Sequence, residues 1–169
     1  MRIRVRDTGQ VMYENEYKRE FSHISPPPTL TEEWLNGAGA DLVFDGPVAT
    51  GGTVYQYSQY DGVEQKEDGK WYTKHILGPV FTDTTNDDGV VTSAADNEAA
   101  YKAGKDADQA EKQRAKRDEK LAVCDWTQLA DSPLTDEQKT SWTTYRQSLR
   151  DVPAQSGFPW EVTWPDEPA

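Results

Sequence analysis

The sequence predicts an α+β fold: a small antiparallel β-rich N-terminal module, a long polar linking helix, and a small helical C-terminal domain with an extended tail. Three observations predict it. Strand-forming runs broken by Gly, Asp and Asn crowd residues 1–85. Residues 93–122 are built from Ala, Lys, Asp, Glu, Gln and Arg, with no proline and Gly104 as the one glycine. Beyond 124, Trp, Tyr and Leu recur at helical spacing and give way to a proline-aromatic end. The domain reading is therefore 1–85 for the β-rich module with one short helix, 86–92 for a linker, 93–123 for the long helix and 124–169 for the C-terminal domain.

Residues 1–6 alternate, with Ile3 and Val5 on one side and Arg2, Arg4 and Arg6 on the other, which is the period of a half-buried strand. Asp7-Thr8-Gly9 is a turn, and residues 11–17 read as a second strand. Pro26-Pro27-Pro28 is a stiff break. Thr29-Leu30-Thr31-Glu32 reads as a capping box opening a short helix through Trp34 and Leu35, which Asn36, Gly37 and Gly39 end. Residues 42–44 form a short strand. Residues 53–60 and 70–77 are rich in strand formers, with Tyr55 and Tyr57 on one face of the first. Asp61-Gly62 and Glu67-Asp68-Gly69 supply the turn chemistry of a hairpin between them, and Val80 and Phe81 extend the sheet past Gly78-Pro79.

Asp83 to Gly89 (DTTNDDG) is a polar linker. A helix over about 30 residues follows, some 45 Å long. Its apolar face is thin: Ala103, Ala107 and Ala110 fall at i, i+4 and i+7, with Leu121 much later. A helix this polar is either a solvated connector or the seat of another helix. Thr135-Asp136-Glu137-Gln138 is a capping box opening a helix to Arg150, on which Trp142, Tyr145 and Leu149 share a face and Arg146 and Arg150 suit the C-terminal end of the dipole. Asp151-Val152-Pro153 stops it.

Charge and composition bound the function. The 169 residues carry a net charge of -12, distributed as -7 over 1–90 and -5 over 91–169. Such a surface repels phosphate, so nucleic acid is not an expected partner. Hydrophobic residues are only 35%, while Trp and Tyr number 6 and 8, a balance that suits rings placed on binding surfaces. Cys124 is alone, so it forms no internal disulfide, and it reads as an inert buried thiol. The first residues lack the apolar run of a signal peptide and no stretch reaches a membrane span, so no membrane partner is expected. The expected location is a cytoplasm-like compartment.

No chemistry-bearing motif stands out. The nucleophile elbow, the phosphate-binding loop, the dinucleotide fingerprint and the C-x-x-C pair do not occur, so no catalytic residue, cofactor or metal site is assigned and the chain does not read as an enzyme. His23 and His75 are far apart in sequence. Aligned as a calcium loop on Gly89, the DTTNDDG stretch has Ala95 where the bidentate Glu belongs, so it reads as a turn. Lys112, Arg114, Lys116, Arg117 and Lys120 alternate with Glu111, Asp118 and Glu119, which is a solvated helix face.

The C-terminal third carries a recognisable series: Arg117-Asp118 and Leu121; Asp125-Trp126; Asp131; Trp142, Tyr145-Arg146-Gln147 and Leu149-Arg150-Asp151; Pro153; then Pro159-Trp160 and Trp164-Pro165. This series, W..YRQ.LRD.P with a terminal WP, resembles the phage tail assembly chaperone and tail fibre assembly proteins. It departs at Ala122-Val123-Cys124, where the family pattern is richer in leucine. The resemblance implies a protein without enzymatic activity that binds a phage tail fibre or other tail protein; the alternative is a permanent virion component, fibre- or baseplate-associated, carrying the same C-terminal domain. The resemblance also implies a location in the host cytoplasm during assembly, with retention in the virion tail as the alternative; self-association through the long helix is a further expectation. Trp142 and Tyr145 read as core, with Trp126 and Trp160 packing on them. Phe158, Trp160, Trp164 and Pro165 are the residues assigned to partner binding, because rings flanked by proline near a chain end have little of their own domain to bury in.

Overall fold

The computed structural model describes residues 1–168 and divides into two compact units, Met1–Val80 and Phe81 onward.

The first unit is a mixed five-stranded sheet with two short helices on one face. Its strands are β1 (Arg2–Val5), β2 (Val11–Tyr13), β3 (Ala40–Phe44), β4 (Tyr57–Gln65) and β5 (Trp71–Gly78), in the order β2-β1-β3-β5-β4. All pairs are antiparallel except β3 with β5, which run parallel in register Val43 to Trp71. The alternation in β1 works as the sequence implies: Ile3 and Val5 are buried and the arginines are not. Ile3 and Val5 pack with Met12, Tyr17, Leu30, Leu35 and Ala40 under helices α1 (Glu14–Glu20) and α2 (Glu32–Gly37).

Several elements differ from expectation. The run at 11–17 is a strand for three residues only, after which α1 begins. Glu16 turns back to accept the Tyr13 backbone N–H at 2.9 Å, Lys18 pairs with Glu14, and Tyr17 is thereby aimed into the core. Local capping and ion pairing outweigh the strand preference of the residues before it. The cap of α2 is Thr31, not Thr29: its hydroxyl accepts the Trp34 N–H at 3.2 Å. The strand expected at 53–60 starts at Tyr57 and runs through Asp61-Gly62, so Tyr55 lies outside it. Asp61-Gly62 is a bulge rather than a turn, since Tyr60 pairs with His75 and Val63 with Thr73, and Gly62 takes φ +85° to absorb the extra residue. The hairpin turn is at residues 66–70, with Gly69 at φ +77°. Val80 and Phe81 do not extend the sheet; β5 ends at Gly78 and Phe81 packs on Tyr101 at 5.4 Å.

The second unit opens where a linker is expected. Strands β6 (Thr84–Thr85) and β7 (Val91–Thr92) form a two-stranded ribbon. Asn86 organises its turn, its side-chain oxygen accepting the N–H groups of Asp88 and Val90 at 3.1 and 2.8 Å. This is the local hydrogen bonding that makes Asn a turn residue. Helix α3 (Ala94–Val123) follows, capped by the Ser93 hydroxyl, which accepts the Asp96 N–H. Helix α4 (Asp136–Asp151) is opened by the capping box read from the sequence: Gln138 N–H donates to Thr135 Oγ1, and Thr135 N–H to Gln138 Oε1.

Candidate partner-binding region

The C-terminal unit is organised by α3, and its covered face is not the alanine stripe. Ala103 and Ala107 are exposed and only Ala110 of the three is buried. The face in use runs through Asp106, Ala110, Gln113, Arg117, Leu121 and Cys124, at spacings of three or four. Polar members of that face are invisible to a search for apolar residues, so the sequence reading followed the alanines, two of which the structure leaves exposed.

Helix α4 supplies the core that the sequence assigned to it. Trp142, Tyr145 and Leu149 are buried with Cys124, and Leu121, Leu134 and Trp164 pack against them. Trp142 meets Tyr145 edge-on at 5.6 Å and Trp126 at 6.4 Å. Burial raises the Tyr145 phenol above its ordinary pKa, with nearby negative charge adding to the effect. Arg146 is also buried, 7% exposed. Its Nη1 donates to the Leu121 carbonyl at 2.8 Å and to Cys124 Sγ at 3.0 Å, and its Nη2 donates to Asp125 Oδ1 at 2.7 Å. Leu121 is in the last turn of α3, where carbonyls lose their i+4 partners, and its carbonyl otherwise accepts only the longer bonds from Cys124, its N–H and Sγ each at 3.3 Å. One guanidinium therefore caps α3 and ties it to α4. The sequence offered a sign of this: Trp142, Arg146 and Leu149 stand at i, i+4 and i+7, so the arginine shares the core face.

The tail folds back. The Gln155 side-chain amide donates to the Thr163 carbonyl at 2.7 Å and accepts the Thr163 N–H at 2.9 Å, closing residues 155–163 into a loop. Gly157 permits the tight crossing, since a Cβ there would stand 2.5 Å from the Glu161 carbonyl oxygen. Phe158, Trp160, Trp164 and Pro165 are all half-buried rather than free. The Arg114 guanidinium lies 5.4 Å from the Phe158 ring, Trp160 donates its indole N–H to Asp106, and Lys116 sits 5.0 Å from the Trp164 ring. The premise that these rings lack a domain of their own is corrected: the basic and polar residues of α3 hold them.

Large exposed apolar side chains of this unit include Val90 and Val91, each 61% exposed in and beside β7, and three more at the C-terminal end of α3 and just beyond it. Val123, Trp126 and Leu129 are 65%, 45% and 57% exposed. Trp126 touches Trp142, as expected, but presents much of its indole to solvent.

Among the described residues no group of His, Cys, Asp and Glu is arranged to hold a metal ion, and no helix is long and apolar enough to cross a membrane. Residues 110–169 match the model of a family described as phage tail assembly chaperone protein, the family that the tryptophan and arginine pattern resembles. That match covers the Arg146 clamp, the α4 core and the folded-back tail, and it supports a role in phage tail assembly, which is not an enzyme class. No curated protein and no solved structure matches the chain.

Proposed function

We propose that this chain binds a phage tail or tail fibre protein during assembly and acts as its chaperone rather than as a catalyst. The match of residues 110–169 to the tail assembly chaperone family carries this reading. The physical setting supports it. Fibre proteins are β-rich and assemble slowly, so their unpaired edges and apolar surfaces need cover before trimerisation. A chain of net charge -12 stays soluble and offers exposed apolar residues in its C-terminal unit. The exposed alanine face of α3 is where self-association would occur.

A second reading has its own observation. Helix α3 is 30 residues long, about 45 Å, a length that serves as a spacer in a permanent fibre- or baseplate-associated component. Mass spectrometry of purified virions separates the two. Absence or trace amounts are expected for the chaperone; a stoichiometric amount in mature particles overturns it in favour of the virion component. Co-expression with the cognate tail fibre protein tests binding. Co-purification and a gain in soluble fibre trimer are expected, and the loss of both overturns the binding reading.

A further inference from the structure

A cleft of about 440 Å³ opens in the sheet unit, a volume within the range of small-ligand sites. Sheet register creates it. Strand β3 pairs with β5 from Val43 onward, so residues 40–42 have no β5 neighbour. Across that gap α2 and the turn of the β4–β5 hairpin form two walls. Glu32 and Asn36 line the cleft from α2, Lys70 and Trp71 from the hairpin, and Asp41 and Arg6 from the floor. The floor is cross-tied. Asp41 accepts from Arg6 Nε at 2.8 Å and from Arg4 Nη1 at 3.1 Å, and Arg6 Nη2 donates to Asn36 Oδ1 at 2.6 Å. The Arg4 guanidinium also lies 3.8 Å from the Trp71 ring centroid, which fixes the indole.

The lining keeps hydrogen-bonding capacity that the fold does not use. Asn36 accepts from Arg6 through Oδ1, which leaves its two Nδ2 hydrogens as donors. Lys70 Nζ and Glu32 Oε2 face each other from opposite walls at 3.8 Å, longer than a hydrogen bond, so the ammonium keeps its donors and the carboxylate its acceptors. Glu33 adds a second carboxylate on the α2 wall. Donors and acceptors are thus interleaved around one space, beside an indole. Charge narrows the ligand further. Arg6 and Lys70 each stand with a carboxylate of the same lining, Asp41 and Glu32. An anion there meets the carboxylates and a cation meets the guanidinium and ammonium, while a neutral molecule meets neither repulsion. An apolar molecule would desolvate these groups and return no hydrogen bond. A neutral ligand whose groups both donate and accept is a polyol, because each hydroxyl does both. We propose that this cleft binds a neutral saccharide unit, with its hydroxyls on Asn36, Glu32 and Lys70 and its C–H surface against Trp71. This inference concerns the sheet unit and is independent of the tail assembly reading, which residues 110–169 carry.

The test titrates the full chain with neutral probes, the methyl glycosides of hexoses and N-acetylhexosamines and their disaccharides. Glucose 6-phosphate is the anionic comparison, glucosamine the cationic one and glycerol the small polyol. The Trp71 indole N–H resonance, identified among the 6 tryptophans by Trp71→Phe, is the readout. At least one neutral glycoside is expected to shift that resonance saturably and to hold its affinity as salt rises. Its affinity should fall roughly tenfold or more in Glu32→Ala/Lys70→Ala, which removes a facing acceptor and donor and leaves the net charge unchanged. Both side chains are solvent-exposed, at 57% and 44%. The melting temperature checks that the double variant folds, and Glu32→Ala alone serves if it does not. A panel in which no neutral glycoside shifts the resonance overturns the proposal, as does an unchanged affinity in the variant. Tighter binding of the anionic or cationic probe assigns the cleft to a charged ligand and also overturns it. An equal shift with glycerol at the same concentration shows that no sugar ring is recognised, with the same consequence.

Discussion

The two units of this chain treat arginine in opposite ways. In the sheet unit, Arg2 and Arg4 stay on the face away from α1 and α2, with Asp45 and Asp41 as ion-pair partners, and the Arg4 guanidinium lies 3.8 Å from the Trp71 ring centroid. In the helical unit, Arg146 is drawn into the core beside Trp142 and Leu149. The difference follows from backbone accounting. Strands satisfy their N–H and C=O groups on their neighbours, so the core side of β1 needs only Ile3 and Val5. A helix end leaves carbonyls without partners, and where that end is buried a donor must come with it. Arg146 supplies the shortest bond to the Leu121 carbonyl, beside those from Cys124, and holds Asp125 with its other nitrogen.

The largest effects that bear on this contrast are expected from the apolar cores. Leu35 and Leu149 are both fully buried, one in each unit. Leu35→Ala and Leu149→Ala should each cost about 2–5 kcal/mol by chemical denaturation. A cost below about 1 kcal/mol for either would show that its cavity collapses freely. Next come the arginines. Arg146→Met should cost about 1.5–3 kcal/mol, the range for hydrogen bonds to charged groups. Arg4→Met should cost no more than about 1 kcal/mol, because Asp41 keeps Arg6 as a second ion-pair partner. If the two cost the same, the distinction between capped helix end and paired strand fails.

Trp164→Ala should destabilise the C-terminal unit by about 1–2 kcal/mol through lost packing on the Cys124, Trp142, Tyr145 and Leu149 cluster. An unchanged melting curve would show that this ring adds little to the folding of the unit. Thr135→Ala, which removes the cap of α4, should cost about 1 kcal/mol. The smallest effect is with pH. Tyr17 in one unit and Tyr145 in the other are both raised by burial. Each favours the protonated phenol in the folded state, so its contribution is complete at neutral pH and is lost as pH rises from about 10, the unfolded value, through the raised folded one. An alkaline melt followed by tyrosine absorbance should show both units weakening there; ionisation at the unfolded value with no loss of stability would contradict it.

Much of this was legible in the residues themselves. The alternation of Ile3 and Val5 with Arg2 and Arg4, the capping box of Thr135 and Gln138, and the shared face of Trp142, Tyr145 and Leu149 are local patterns, and local periodicity survives into the fold. The bulge at Gly62 was misread as a turn because Asp-Gly serves both, and only the pairing partner across the strand decides between them.

The amino-acid sequence alone determined the α+β class, the long helix, the α4 core and the resemblance of the last third to tail assembly chaperones. Only the tertiary structure decided which apolar residues are spoken for. Phe158, Trp160 and Trp164 looked available because they lie near the end of the sequence, yet Arg114, Asp106 and Lys116 of α3, roughly 50 residues earlier, reach them. Trp126 was expected to pack on α4, and it touches Trp142, yet it stays largely exposed together with Val123 and Leu129. Contacts between residues distant in sequence are properties of the folded chain, and local pattern does not carry them.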